Sequence, residues 1–210
     1  MNIALGSDHR GCKIAEKLMR DLFCCKHYMQ EDQADSIDFE QFGDMSGAFL
    51  ITDATLGDVK QSRSPKIETL VYSKLAQVSD ASQEFEPEPA SATRCVDYPD
   101  VAAAVAEAVS KGIADRGVLI CGTGVGMCIT ANKFMGARAA VCSNEVAAEL
   151  SRRHNDANIL CLSGEFLSPD VLESVARTWF AFDFDGLKPE GARHKRRLEK
   201  LEEIEKKTGL

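Results

Sequence analysis

The sequence predicts an α/β fold in which a mostly parallel sheet is covered by helices on both faces. Two observations predict it. Short apolar runs of strand length alternate with stretches of helical period along most of the chain. At 117–134 and again at the N-terminus, a strand-like run enters a Gly-rich or polar turn and then a helical run, the local unit of such folds. The sharper unit is Gly117-Val118-Leu119-Ile120-Cys121-Gly122-Thr123-Gly124-Val125-Gly126-Met127, with a helix expected over Met127–Phe134. The N–H groups of a glycine turn point into one concavity, and a helix start adds partial positive charge, so the unit is suited to hold an anion. A thiol at its lip is the first candidate for a reactive group.

Taken in order, Asn2–Leu5 reads as a buried strand and Gly6–Gly11 as a polar turn. Ile14, Leu18 and Leu22 then mark one helix face. Asp8 and His9 therefore stand at the carboxyl end of a strand, where open α/β sheets carry their ligand crevice. Asp8 is equally suited to cap the helix. Residues 24–93 carry no assignable chemistry and read as a surface insertion. Within them Phe49–Thr52 is a candidate strand, 66–76 has helical spacing, and 75–79 is an alternative strand. Glu84–Ser91 is an acidic, Pro-punctuated loop.

From Val96 the pattern sharpens. Asp97-Tyr98-Pro99-Asp100 opens a helix through Val101, Val105, Ala108 and Val109 that stops at Gly112. After the central unit, Arg138–Cys142 is a strand, and Asn144 opens a helix ending at Arg152–Asp156. Asn158–Leu162 is a strand, and Ser168-Pro169 starts a helix with Val171, Val175, Trp179 and Phe182 on one face. A last helix, about 191–208, has Leu198, Leu201 and Ile204 along one edge. Its start, Arg193-His194-Lys195-Arg196-Arg197, places cations where they oppose the helix dipole, which favours an anionic target.

The chain has 210 residues, 44% hydrophobic and 28% charged, which suits a single domain over 1–210. A formal net charge of −8 argues against a general nucleic-acid binder. No apolar run approaches the ~20 residues of a membrane span, and the N-terminus turns polar too early for a signal peptide. The eight cysteines form no C-x-x-C pair, and no His pair supplies metal-ligand spacing, so no metal is expected. Cys128, Cys142 and Cys161 lie in apolar runs and read as small hydrophobes. Free thiols point to a reducing compartment, the cytoplasm. The glycines lack G-x-G-x-x-G spacing, and no Gly-Lys-Ser/Thr follows, which disfavours nucleotide binding.

Six stretches in order, Gly6–His9, Val96–Asp100, Ile120–Met127, Ala131–Lys133, His154–Asn158 and Gly191–Arg197, closely resemble the ribose-5-phosphate isomerase B and galactose-6-phosphate isomerase family. The resemblance covers roughly 1–22 and 94–200. It implies a Rossmann-like three-layer fold, no cofactor, and a homodimer or dimer of dimers with shared active sites. The implied substrate is a sugar phosphate, most simply ribose 5-phosphate. Carried over by position, Cys121 matches the base that takes the C2 proton. The amides of Gly122, Gly124 and Gly126 match the anion hole, and Thr123 a residue assisting the base or hydroxyls. Asp8 and His154 match groups for ring opening and proton shuttling, Asp97 and Asn155 sugar contacts, and His9, Arg193 and Arg197 a phosphate clamp. The chemistry agrees: an enediolate builds charge on oxygen, for which fixed N–H donors are the largest expected help, and a thiol can take and return a proton.

Three departures stand out. The segment after the first helix is much longer than in typical members. Ser163-Gly164-Glu165 stands where many members have Gly-Ala-Arg, so an acid replaces a phosphate-holding arginine. Arg10 stands where a small residue is common and is a candidate for the missing cation. Two alternatives therefore remain: an isomerase of a different sugar, with or without a phosphate, and a catalytically silent sugar-phosphate-binding protein.

Overall fold

The computed structural model describes residues 3–8, 10–11, 14–15, 18, 47–51 and 97–209, with the backbone alone at 47–51. His9, the candidate elements at 66–76 and 75–79, the loop 84–91, and Cys12, Cys24, Cys25 and Cys95 lie outside the described residues.

Strands β1 Ile3–Ser7, β2 Gly47–Ile51, β3 Arg116–Cys121, β4 Ala139–Val141 and β5 Ile159–Ser163 form one sheet in the order β2-β1-β3-β5-β4. β1, β3, β5 and β4 are mutually parallel, and β2 closes one edge antiparallel to β1. The helices are α1 Tyr98–Ser110, α2 Val125–Ala131, α3 Glu145–Asn155, α4 Pro169–Ala181 and α5 Ala192–Thr208. Ile14, Ala15 and Leu18 are helical as well.

Alternation along each strand sorts the core into two layers. Ala4, Leu119, Cys121, Ile159 and Cys161 meet α1 and α2 on one face. Ile3, Leu5, Val118, Ile120, Leu160 and Leu162 meet Ala15, Leu18, α3 and α4 on the other. Helices thus cover both faces, as the alternating pattern requires. α1 is rich in alanine and lies close to the sheet: a Cβ on Gly6 would meet Val101 at 2.7 Å, and one on Gly117 would meet Val105 at 2.9 Å. Each fully buried Val or Leu in these layers contributes about 1.5–3 kcal/mol.

Helix ends follow local chemistry. The Asn144 side chain accepts the Ala147 N–H at 2.8 Å, and Ser168 accepts from Val171, as N-caps do. α1 closes at Lys111, and Gly112 beyond it takes φ +68°, the left-handed stop expected there. α2 begins two residues before the expected Met127 and ends at Ala131 rather than Phe134. Asn132 ends it: its amide donates to Cys128 O and to Ala139 O, both at 3.0 Å, and accepts the Ala139 N–H at 2.9 Å. That side chain ties the helix end to β4. The buried stripe of α4 is Leu172, Val175, Ala176 and Trp179. Val171 is 37% exposed and Phe182 lies past the helix, so the expected face was one position off at each end.

α5 docks through His194, which is 3% exposed and stacks on His154 of α3 with centroids 4.2 Å apart and planes 9° from parallel. Behind it, Arg153 Nε donates to Asp185 Oδ2 at 2.8 Å, holding the short turn before α5. Burial keeps His194 neutral by lowering its pKa, with His154, Arg193 and Arg197 adding to that and Asp185 opposing it. Cys128 corrects an expectation: it is half-buried and chemically distinct from an inert filler. A hydrogen bond from the Cys161 thiol, with help from Val141 and Asn132, pulls its pKa down to about 7 against the effect of burial.

Two outcomes follow from the packing. Trp179 is fully buried, with the Arg152 and Arg116 guanidinium groups 5.3 and 5.4 Å from its ring. Trp179→Ala should lower unfolding free energy by about 3–5 kcal/mol in urea titrations; a loss below about 1 kcal/mol contradicts this packing. For His194 the folded pKa lies below the unfolded one, so the unfolded chain binds more protons as pH falls. Its contribution is present above about pH 6.5 and is lost below it. Tm should therefore drop between pH 7.5 and 5.5, and His194→Phe, which keeps the stack, should flatten that slope. An equal slope in the variant would assign the pH dependence elsewhere.

Candidate active site

Parallel register brings the carboxyl ends of three central strands together. Ser7 pairs with Ile120, and Cys121 pairs with Ser163, so Asp8, Gly122 and Gly164 emerge side by side. Asp8 N–H donates to Ile120 O at 3.2 Å, Gly164 N–H to Cys121 O at 2.8 Å, and Glu165 N–H to Gly122 O at 3.1 Å. The Ser163 hydroxyl adds a bond to Gly122 O at 2.7 Å. The segment after Cys121 is thereby held to its neighbours through its own backbone.

Within the turn, the Gly124 N–H donates to Cys121 Sγ at 3.1 Å, and the Val125 N–H to Thr123 Oγ1 at 3.2 Å. Gly124 takes φ +76° as the N-cap of α2, and a Cβ there would meet Leu162 backbone carbon at 3.1 Å. Both facts reserve the position for glycine. Gly126 is reserved differently: a Cβ there would lie 2.6 Å from the Tyr98 ring. Cys121 is 5% exposed, at the floor of the turn, while Thr123 above it is exposed. The first N–H groups of α2 have no carbonyl partner within the helix, which leaves donors at the same spot.

Asp8 is 6% exposed, and its Oδ1 accepts the N–H groups of Arg10 at 2.9 Å and Gly11 at 3.1 Å. That is capping chemistry, the simpler of the two readings open for Asp8. Asp97 is exposed at the N-cap of α1 without a side-chain cap bond. Its neighbour Tyr98, 43% exposed over Gly126, belongs to the same rim. In sequence Tyr98 stands inside the Asp97–Asp100 motif, and its adjacency to Asp97 is the signal for its place at this rim.

The remaining expected residues form a second group. α3 starts beyond the carboxyl end of β4 and ends before the amino end of β5, so His154 and Asn155 sit at the opposite edge of the sheet from Cys121. Arg193 and Arg197, exposed on the first turns of α5, are held beside them by the His154–His194 stack. A cleft of about 400 Å³ between α5 and β4 includes Asn155, Arg138, Leu201 and Ile204 in its walls. One chain therefore gathers Asp8, Asp97, Cys121, Gly122, Thr123, Gly124 and Gly126 at one edge, and His154, Asn155, Arg193 and Arg197 at the other.

Arg10 and Glu165 meet across the first edge, with Nη1 to Oε1 at 3.0 Å. No helix among the described residues is long and apolar enough to cross a membrane.

Comparison with known proteins gives a consistent result. The family model described as Ribose/Galactose Isomerase matches residues 66–201. Ribose-5-phosphate isomerase B of Escherichia coli K12 is 44% identical over 111 residues, which is 53% of this chain and 71% of that one. A D-erythrulose-4-phosphate isomerase of Pectobacterium atrosepticum is 40% identical over 89 residues, 42% of this chain and 59% of that one. The structure of ribose-5-phosphate isomerase B from Clostridium thermocellum superposes with a TM-score of 0.59 at 32% identity, covering 98% of each chain. With a sheet of Rossmann-like order, a thiol at its carboxyl edge and these relatives, the chain belongs to the ribose/galactose isomerase family.

Proposed function

We propose that the chain is a sugar-phosphate isomerase that interconverts ribose 5-phosphate and ribulose 5-phosphate through an enediolate, with Cys121 as the base. The observation that carries this reading is the Cys121 sulfur at the carboxyl end of β3, receiving the Gly124 N–H at 3.1 Å beneath the glycine turn. The thiolate takes the proton from C2 of the open-chain aldose. The C2–H electrons form the C1–C2 double bond, and the C1 carbonyl oxygen becomes negative. Gly124 N–H and Val125 N–H are taken by Cys121 Sγ and Thr123 Oγ1, so the N–H groups of Thr123 and Gly126 are the turn's donors left, among the described residues, for that charge. The thiol then returns its proton to C1, and the O2 proton passes to O1, leaving the ketose. A base buried beside fixed donors works with little competing water.

The separation of the two residue groups supports a homodimer. A second copy would bring its own His154, Asn155, Arg193 and Arg197 over the Cys121 edge, completing a site that one chain leaves in halves. Leu201 and Ile204 are 46% and 54% exposed on α5, an apolar edge that such an association would cover.

A second reading has its own observation. Glu165 neutralises Arg10 at the lip, so the substrate could carry no phosphate. A relative named for D-erythrulose 4-phosphate adds a further candidate sugar. A panel of phosphorylated and free tetroses, pentoses and hexoses separates these. Turnover confined to free sugars would replace the phosphate reading.

Cys121→Ala should abolish isomerisation, a drop of at least about a thousandfold, with an unchanged Tm. Substitution is the cleaner probe, because Cys128, drawn to about 7, would also be alkylated. Near wild-type turnover in Cys121→Ala would remove Cys121 as base. No turnover on any sugar by the wild type, with ribose 5-phosphate still raising Tm, would leave a binding protein. For the shared site, mixing Cys121→Ala with His154→Ala chains should restore about a quarter of wild-type activity, from heterodimers with one intact site. If each variant stays inactive in the mixture, the two halves act within one chain.

A further inference from the structure

We infer that Arg10 is the cation that takes the anionic end of the substrate, and that Glu165 positions its guanidinium and moderates its grip. The inference rests on the isomerase reading above and adds a specificity-determining pair to it.

The pair lies directly on the residue after Cys121. A Cβ built on Gly122 would sit 3.0 Å from Arg10 Nη1 and 3.1 Å from Glu165 Oε1. Both partners are referenced to β3 through short backbone links. Arg10 follows Asp8, whose N–H bonds Ile120 O and whose carboxylate accepts the Arg10 N–H. Glu165 donates its own N–H to Gly122 O, and the preceding Gly164 donates to Cys121 O. The backbones that carry the guanidinium, the carboxylate and the sulfur are therefore tied together by a few hydrogen bonds.

Stability does not explain the pair. The two side chains are 55% and 43% exposed, and an exposed ion pair contributes at most about 1 kcal/mol. Chemistry does. A guanidinium carries five N–H donors in a planar fork, and among the described residues a single side-chain bond, to Glu165, uses one of them. Among the described residues no other side chain takes the rest of the fork, whose planar donors match phosphate oxygens. Glu165 removes the freedom of a long side chain and places one negative charge beside the ligand. The site then holds a phosphate firmly enough to orient it and loosely enough to release it.

Binding is measured by calorimetry in the Cys121→Ala background, so that no turnover intervenes, with ribose 5-phosphate, inorganic phosphate and free ribose as probes. Arg10→Ala should weaken ribose 5-phosphate and phosphate by about ten- to a hundredfold and leave free ribose unchanged. Arg10→Gln serves if the alanine variant misfolds. Glu165→Gln keeps the acceptor that orients the fork and removes its charge, so it should tighten ribose 5-phosphate several-fold. In the active enzyme Arg10→Ala should raise KM with kcat altered less than about threefold. The inference is overturned if Arg10→Ala and Arg10→Gln keep affinity within twofold, if Glu165→Gln changes nothing, or if kcat falls while KM holds. Absence of ribose 5-phosphate binding in the Cys121→Ala protein itself would remove the phosphosugar reading and this inference with it.

Discussion

The structure depends on how the backbone after Cys121 is held. Three bonds from the end of β5 and the two residues after it reach the carbonyls of Cys121 and Gly122: Gly164 N–H at 2.8 Å, Glu165 N–H at 3.1 Å and Ser163 Oγ at 2.7 Å. These bonds commit the carbonyls of Cys121 and Gly122 at the start of the turn. Gly124 then supplies the one left-handed step that lets α2 start, and its own amide meets the sulfur. Donors fixed in this way need no reorganisation when charge appears on a substrate oxygen, which is where most of the catalytic benefit of such turns arises. The same bonds explain why the sheet and the site are one problem. A shift of β5 by one residue would reverse its faces and release the turn together.

The parallel order has a second consequence. Crossover helices return each strand to the same direction, so whatever lies at the end of α3 is delivered to the amino edge, far from the thiol. His154 and Asn155 are fixed there by Asp156 in the left-handed region at φ +45° and by Arg152, which holds Asp156 Oδ1 at 3.0 Å. α5 is then bound to that edge through the His154–His194 stack, carrying Arg193 and Arg197 with it. No local adjustment brings these groups to Cys121, because both sets are tied to opposite ends of the same rigid strands. The association of copies proposed above would join them.

What was readable from sequence was what is decided locally. Strand β3, its glycine turn and the start of α2 follow from adjacent residues, as do the caps Asn144 and Ser168. The face of α4 was misread by one position because Val171 and Leu172 are adjacent and both apolar, and only contact with the sheet selects Leu172. The end of α2 was misread because Asn132 closes it on Ala139, seven residues away and on a strand. Arg10 and Glu165 were each visible as departures from the family pattern. Their pairing was not, since 155 residues separate them and the register of β1, β3 and β5 brings them together. Tyr98 over Gly126 and His194 under His154 are hidden for the same reason: each is a contact between elements.

The four described cysteines sit in different surroundings, and the proposal of Cys121 as base rests on position and not on acidity. Cys142 and Cys161 are buried, and burial raises the thiol of Cys142, while the bond to Cys128 leads the causes that raise Cys161. Cys128, drawn to about 7, is the more acidic candidate by its surroundings. Its sulfur, however, donates to Ala139 O at 3.4 Å and receives Asn132 Nδ2 at 3.5 Å, between α2 and β4. Those partners serve the joint between a helix and an edge strand. A perturbed thiol becomes a base only where a substrate carbon can reach it and where something holds the charge that results. Cys121 lies beneath a glycine turn whose Gly124 amide donates to its sulfur, and it stands at the edge of the sheet where loops from three strands converge. The acidity of Cys128 is a product of packing, while the placement of Cys121 is a product of topology, and the proposed mechanism rests on the latter.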